Sequence, residues 1–220
     1  MIAAGFWNWG WVGSHLDLIR ERVLQHLGLT LLAVGIGLLI SLPLAILAYR
    51  HRRLYAPITW VTGVLYTIPS LAAFALLLPF FGLTRTTALI PLASYTLLIL
   101  IRNAVTGLRG VDPDVKEAAR GMGYTERQLL WRVEIPLALP AIVAGVRIAT
   151  VTTIGLVTVT ALVGQGGLGA LMLGGFRRLF PQIAVVVGVG LSVGLAVAAD
   201  ALLLGAQRVL APWARGKSPT

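Results

Sequence analysis

Val111 to Pro136 reads VDPDVKEAARGMGYTERQLLWRVEIP, and it holds five of the chain's eight acidic residues and four of its eighteen basic ones. Asp112 is placed to cap a helix with Pro113 at its first position, where a missing N–H is no loss. Glu117, Ala118 and Ala119 continue that short helix, and Gly121 and Gly123 stop it. Thr125 with Gln128 forms a capping box that opens a second helix, from Glu126 to about Val133. Pro136 ends the second helix and starts a new segment. The stretch is a helix, a glycine turn and a helix, and both its flanks are long apolar runs.

Those flanks set the class. The chain has 220 residues, 57% hydrophobic and 12% charged, with a mean hydropathy of +0.87. Such a composition fits an all-α polytopic membrane protein and excludes an ordinary soluble domain. At about 20 residues per span, the length allows about five or six helices. A net charge of +10 suits nucleic acid at first sight, but the basic residues sit mostly beside apolar runs, where orientation signals belong. The absence of cysteine excludes disulfides and thiolate metal sites.

Residues 1–23 read as an extracytoplasmic or interfacial segment, with no basic region and no cleavage site of a secretory signal. Trp7, Trp9 and Trp11 suit a membrane interface. Ser14 with Asp17 marks a helix start, and Leu16, Ile19, Val23 and Leu27 form the apolar stripe of an interfacial helix. Residues 24–210 form a single transmembrane domain, with the polar loop at 112–136, and 211–220 form a cytoplasmic tail. Five spans are expected, at about Leu24–Tyr49, Ile58–Phe81, Thr86–Ile101, Pro136–Val163 and Gln182–Leu204. Arg102 and Asn103 begin the polar exit from the third. Gly190 and Gly194 give the fifth a close-packing face.

Pro69 and Ser70 interrupt the second span, and the proline frees carbonyls that must be satisfied in protein or in a wet cavity. A packing kink and a place on a translocation path both fit. Span four carries Thr150, Thr152, Thr153, Thr158 and Thr160, whose hydroxyls either bond their own helix or line a polar path. Arg147 and Asp200 lie inside apolar spans, roughly 16 Å and 12 Å from the same membrane face. An ionised group at that depth has to face protein or water. The two either pair, or Asp200 snorkels to the loop base and leaves Arg147 on the path alone.

With the loop in the cytoplasm and five alternating spans, the N-terminus lies outside. Twelve basic residues then fall inside against five outside, with Arg147 within a span, which favours this orientation. Other motifs are decoys. Gly164 to Gly169 fits G-x-G-x-x-G but lacks a preceding strand and a following acidic residue. Gly216-Lys217-Ser218 has no helix after it and no first glycine, so the chain is not expected to bind ATP. His15, His26 and His51 are scattered, with no metal-ligand spacing. A DNA-reading helix-turn-helix using Arg120, Arg127 and Arg132 has no room for a third packing helix between membrane-length flanks. A solvated connector without a partner is the plain alternative for the loop.

Glu117-Ala118-Ala119, Gly123 and Val133-x-Ile135-Pro136 resemble the EAA…G…I-x-L-P loop of permease subunits of binding-protein-dependent ABC importers, with Val133 for Ile and Ile135 for Leu. Tyr66 to Ala72 and Ala161 to Gly169 resemble the branch that imports osmoprotectants, and the likeness runs from about Leu24 to Arg208. The resemblance implies a permease of the type I importer kind, in a prokaryotic plasma or inner membrane, with the loop as the element that couples to an ATPase. It implies four kinds of partner: an ABC ATP-binding subunit carrying ATP and Mg, an extracytoplasmic substrate-binding protein, a second permease copy or sister permease, and the lipid bilayer. With no H-E-x-x-H, no G-x-S-x-G and no cysteine nucleophile, the chain offers no catalytic residue, and no cofactor of its own and no nucleic-acid partner are expected. The expected substrates are glycine betaine, choline, carnitine or proline, and the alternative is an amino-acid importer of the methionine type. A channel or scaffold not coupled to ATP is the reading from another class.

Overall fold

A computed structural model describes residues 8–177 and 179–213. Trp7, Arg178, Arg215 and the Gly216-Lys217-Ser218 near-motif lie outside the described residues, as does most of the expected tail. The regular structure is helical in every described element. In chain order these are α1 (Trp9–Ser14), α2 (Leu16–Arg50), α3 (Arg52–Thr67), α4 (Ser70–Phe81), α5 (Arg85–Arg109), α6 (Pro113–Gly121) and α7 (Glu126–Leu129). A π turn (Leu130–Glu134) leads into α8 (Ile135–Val157), a 3-10 segment (Thr158–Val163), α9 (Leu168–Phe176) and α10 (Ile183–Leu210).

Four of these are long and apolar enough to cross a membrane: α2, α5, the continuous run Glu126–Val163 and α10. α3 and α4 are long and apolar enough to cross it only when taken together, bent by 90° at Ile68-Pro69, which gives up to five spans when the pair counts as one. The break follows from the proline. Thr67 ends α3, Ile68 turns extended, and Pro69 caps α4 with Ser70 as its first residue. The Ile68 carbonyl is satisfied by the Tyr95 hydroxyl of α5 at 2.6 Å. Tyr66 and Tyr95 meet edge to face beside it, with ring centroids 6.0 Å apart.

α5 is the central helix, packed against α2, α8, α3 and α4. Its buried face runs Leu92, Leu97, Ile101, Ala104, Val105 and Leu108. In lipid, apolar area alone does not draw helices together, so close approach of small residues carries the packing. Ala33, Ala45, Ala48, Ala88, Ala138 and Ala149 are buried at these contacts. Gly145 of α8 lies so close to Asn103 of α5 that a methyl group there would overlap its side chain.

Several expected boundaries move. The stripe Leu16, Ile19 and Val23 is the start of the 35-residue α2, continuous with the first span. Ser14 does not open it. The Ser14 hydroxyl donates back to the Gly10 and Trp11 carbonyls, and His15 takes the cap position. Trp11 is buried with Ile19, Leu168, Leu171 and Ile183, which ties α1 to α9 and α10. The third span does not exit at Arg102. α5 runs on to Arg109, because the Asn103 amide bonds the Ile99 carbonyl of its own helix and the Arg109 guanidinium stacks over Tyr55. Pro136 does not break the chain either. The π turn donates Ile135 N–H to the Leu130 carbonyl, five residues back, and so brings the proline into the first turn of α8. Gly190 and Gly194 face open space within the subunit, and the close contact of α10 falls on Gly188, against Met172 and Leu168 of α9.

Candidate functional site

The loop between α5 and α8 is built by its own caps. The Asp112 carboxylate accepts from the Asp114 N–H at 2.9 Å, and α6 follows through Gly121. Gly121 is the last helical residue and Met122 the cap, so the turn belongs to Gly123 alone. Gly123 has φ +82° with nothing near an added Cβ, so the glycine is required by backbone conformation rather than by space. Its N–H donates to the Arg120 carbonyl at 2.9 Å and the Tyr124 N–H to the Ala119 carbonyl at 3.2 Å. The Thr125 and Gln128 capping box closes in both directions. Across the turn, Arg120 Nε donates to Glu126 Oε1 at 2.9 Å on the exposed surface.

The motif residues divide by direction. Ala119 is buried at 2% exposure. Glu117 and Ala118 point outward. Val115, Ala118 and Met122 fall at helical spacing on the outer face of α6, and Val115 and Met122 are exposed hydrophobics. Ile135 packs with Leu108, Leu130 and Ala138 against the helix body, with Val133 and Pro136 half-buried. The loop therefore presents a short, exposed helix with a small apolar stripe, and it is rooted by its second half.

Beneath it lies a group the sequence reading did not single out. Lys116 Nζ donates to Tyr49 Oη at 3.0 Å and to the Leu108 carbonyl at 3.3 Å, and lies 3.4 Å from Glu134 Oε1. The Tyr49 hydroxyl donates to the same Glu134 oxygen. The only sequence signal was a lysine and a glutamate in a polar loop, and their burial depends on where α2 ends.

Deeper in the chain, Arg147 and Asp200 meet in a bidentate pair, Nε to Oδ1 and Nη2 to Oδ2, both at 2.9 Å. They lie in an open groove of about 650 Å³ between α8 and α10, otherwise lined by residues such as Ile148, Val151, Thr152 and Val197. Thr150 and Thr153 are not part of that groove. Both are buried in the subunit, with their hydroxyls on the Val146 and Ala149 carbonyls. Pro69 is exposed and Ser70 half-buried at the break between α3 and α4.

On the other side of the bundle the glycine loop Gly164–Gly167 folds onto α2. The Gly167 N–H donates to Gln25 Oε1 at 3.1 Å and the Leu168 N–H to His26 Nδ1 at 3.3 Å. His26 is fully buried, and with the Leu168 N–H on Nδ1 its Nε2 donates to the Ile154 carbonyl at 3.0 Å. The run that mimics a dinucleotide fingerprint is a structural strap.

Fold and loop together define a polytopic helical permease subunit. Residues 33–215 match the model of the binding-protein-dependent transport system inner membrane component, and the chain belongs to that family. The osmoprotectant import permease protein OsmW of Salmonella typhimurium is 40% identical over 199 residues, 88% of this chain and 92% of that one. The choline transport system permease protein OpuBB of Bacillus subtilis is 33% identical, covering 87% of this chain and 88% of that one. Among solved structures, an inward-facing MetNI methionine ABC transporter superposes with a TM-score of 0.81 over 90% of this chain and 98% of that one, at 22% identity. That likeness is one of fold.

Proposed function

We propose that the chain is the permease of an ATP-driven importer of compatible solutes, such as glycine betaine, choline, carnitine or proline. The exposed α6 with its small apolar stripe carries the coupling half of this reading: it is shaped to enter a groove on a separate ATP-binding subunit. That subunit would hold ATP and Mg, an extracytoplasmic binding protein would deliver the solute, and a second permease would complete the path. The solute class rests on the relatives, whose names cover osmoprotectants and choline. The methionine alternative rests only on a shared fold. Reconstituted with its cognate partners, the transporter is expected to accumulate labelled glycine betaine or choline on ATP addition. Uptake of methionine with no uptake of a quaternary amine would overturn the solute class.

In this reading Pro69, Ser70 and Arg147 are candidates for the path, with Thr150 and Thr153 behind them, and the loop is cytoplasmic. The cysteine-free chain makes the orientation directly measurable. Single cysteines at Arg52 and Gly121 are expected to resist an impermeant thiol reagent in intact cells, whereas those at Thr84 and Phe176 label. All four positions are exposed, so the reverse pattern inverts the topology.

A further inference from the structure

The polar cluster under α6 is explained neither by the docking face nor by the path. Lys116 reaches from α6 into the body with its side chain 15% exposed, and Glu134, at the end of the π turn, is 6% exposed. The Lys116 ammonium donates to Tyr49 Oη at 3.0 Å and to the Leu108 carbonyl at 3.3 Å, and it forms an ion pair with Glu134 Oε1 at 3.4 Å. With Tyr49 donating to Glu134 as well, the ring of contacts is closed. Four segments converge on one nitrogen: α6 itself, the end of α2, the end of α5, and the π turn that feeds α8. Apart from this, α6 packs lightly on the spans, and its main neighbours are α7 and the π turn of its own loop.

Apolar contacts let surfaces slide past one another, whereas charge-assisted hydrogen bonds are directional and separating a buried pair leaves an uncompensated charge. We propose that Lys116, Glu134 and Tyr49 are positioning residues that form the joint of the subunit, through which a displacement of α6 is passed to α2, α5 and α8 together. The proposal rests on the reading of the loop as the ATPase-coupling element. If α6 moves without the joint, the ATPase turns over and the helices lag. Weakening the joint therefore raises the ATP hydrolysed per solute imported.

The test uses the assembled transporter in proteoliposomes, with its ATPase and binding protein, and reads that ratio. Lys116→Met and Glu134→Gln are each expected to raise it roughly two- to thirtyfold, the range over which single residues alter coupling. Tyr49→Phe raises it less, because the lysine to glutamate contact survives. The double variant Lys116→Met/Glu134→Gln separates a joint from a merely structural pair. Removing both charges together restores much of the stability lost by removing one, so thermal stability recovers while the ratio stays raised. A ratio that returns to the wild-type value with stability, or one unchanged in every assembled variant, overturns the proposal. Where a single variant fails to assemble, the double variant and Tyr49→Phe decide. A wild-type complex without ATP-dependent uptake would instead overturn the functional reading beneath it.

Discussion

Ala118→Trp is expected to leave the subunit folded and inserted while abolishing substrate-stimulated ATP hydrolysis and uptake in the assembled transporter. Ala118 sits on the outer face of α6, between the exposed Val115 and Met122, so an indole there points away from the body of the subunit. It does meet whatever the stripe docks into. A misfit at that contact of about 2 kcal/mol lowers docking roughly thirtyfold. Ala119, one residue on, is 2% exposed and provides the internal control. Ala119→Trp overpacks the loop against the body, at about 1–3 kcal/mol or more, and is expected to impair assembly itself. Gly123→Val acts by a third route. It forces a β-branched residue to φ +82°, which costs about 1–3 kcal/mol and disorders the turn between α6 and α7. Blue-native electrophoresis of the complex, beside ATPase activity with and without loaded binding protein, separates the three. Normal coupled ATPase and uptake in both Ala118→Trp and Gly123→Val would take the loop out of the coupling pathway.

The contrast between Ala118 and Ala119 also marks the limit of what the sequence made legible. Asp112, Pro113, Thr125 and Gln128 act through bonds to residues two or three places away, so their caps could be read directly. Membrane-length spans could be counted for a similar reason: apolar length is a local property. The division of the two alanines between partner and core is set by the roll of α6 on the body, and no local pattern encodes that. The same holds for Lys116, Glu134 and Tyr49, which lie 67 and 85 residues apart along the chain in their two contacts with the tyrosine. Pro136 does not end a helix as its sequence context suggests, because proline punctuation assumes α-type pairing and one π turn removes the need for a break. The threonines of α8 illustrate an ambiguity of chemistry. A hydroxyl inside a membrane helix bonds the preceding turn whether or not it also faces a cavity, and only the position of Thr152 beside Arg147 shows which face is open.

The Arg147–Asp200 pair offers the second large effect, with an asymmetry that tests its chemistry. Both nitrogens of the guanidinium edge are committed to the carboxylate at 2.9 Å, and the groove around them is otherwise mostly apolar. Asp200→Ala strands a cation that cannot give up its proton. Arg147→Ala strands a carboxylate, which can take one up and become neutral. The aspartate variant is therefore expected to lose more, with a fall in thermal midpoint on the order of 5 °C, and the arginine variant a smaller one. The double variant leaves no charge in the groove and should recover part of the loss, since pairwise coupling shows as non-additivity. Thermal midpoints of the purified complex in nanodiscs, for wild type, both single variants and the double, complete the cycle. Strictly additive losses would mean that the two side chains stabilise the helices independently. Equal losses in the two single variants would mean that a stranded carboxylate is held ionised between α8 and α10. Uptake measured on the same four proteins addresses the path. If Arg147 also meets the carboxylate of a solute such as glycine betaine or carnitine, the double variant regains stability without regaining uptake of that solute, because the charge that would face the carboxylate is gone.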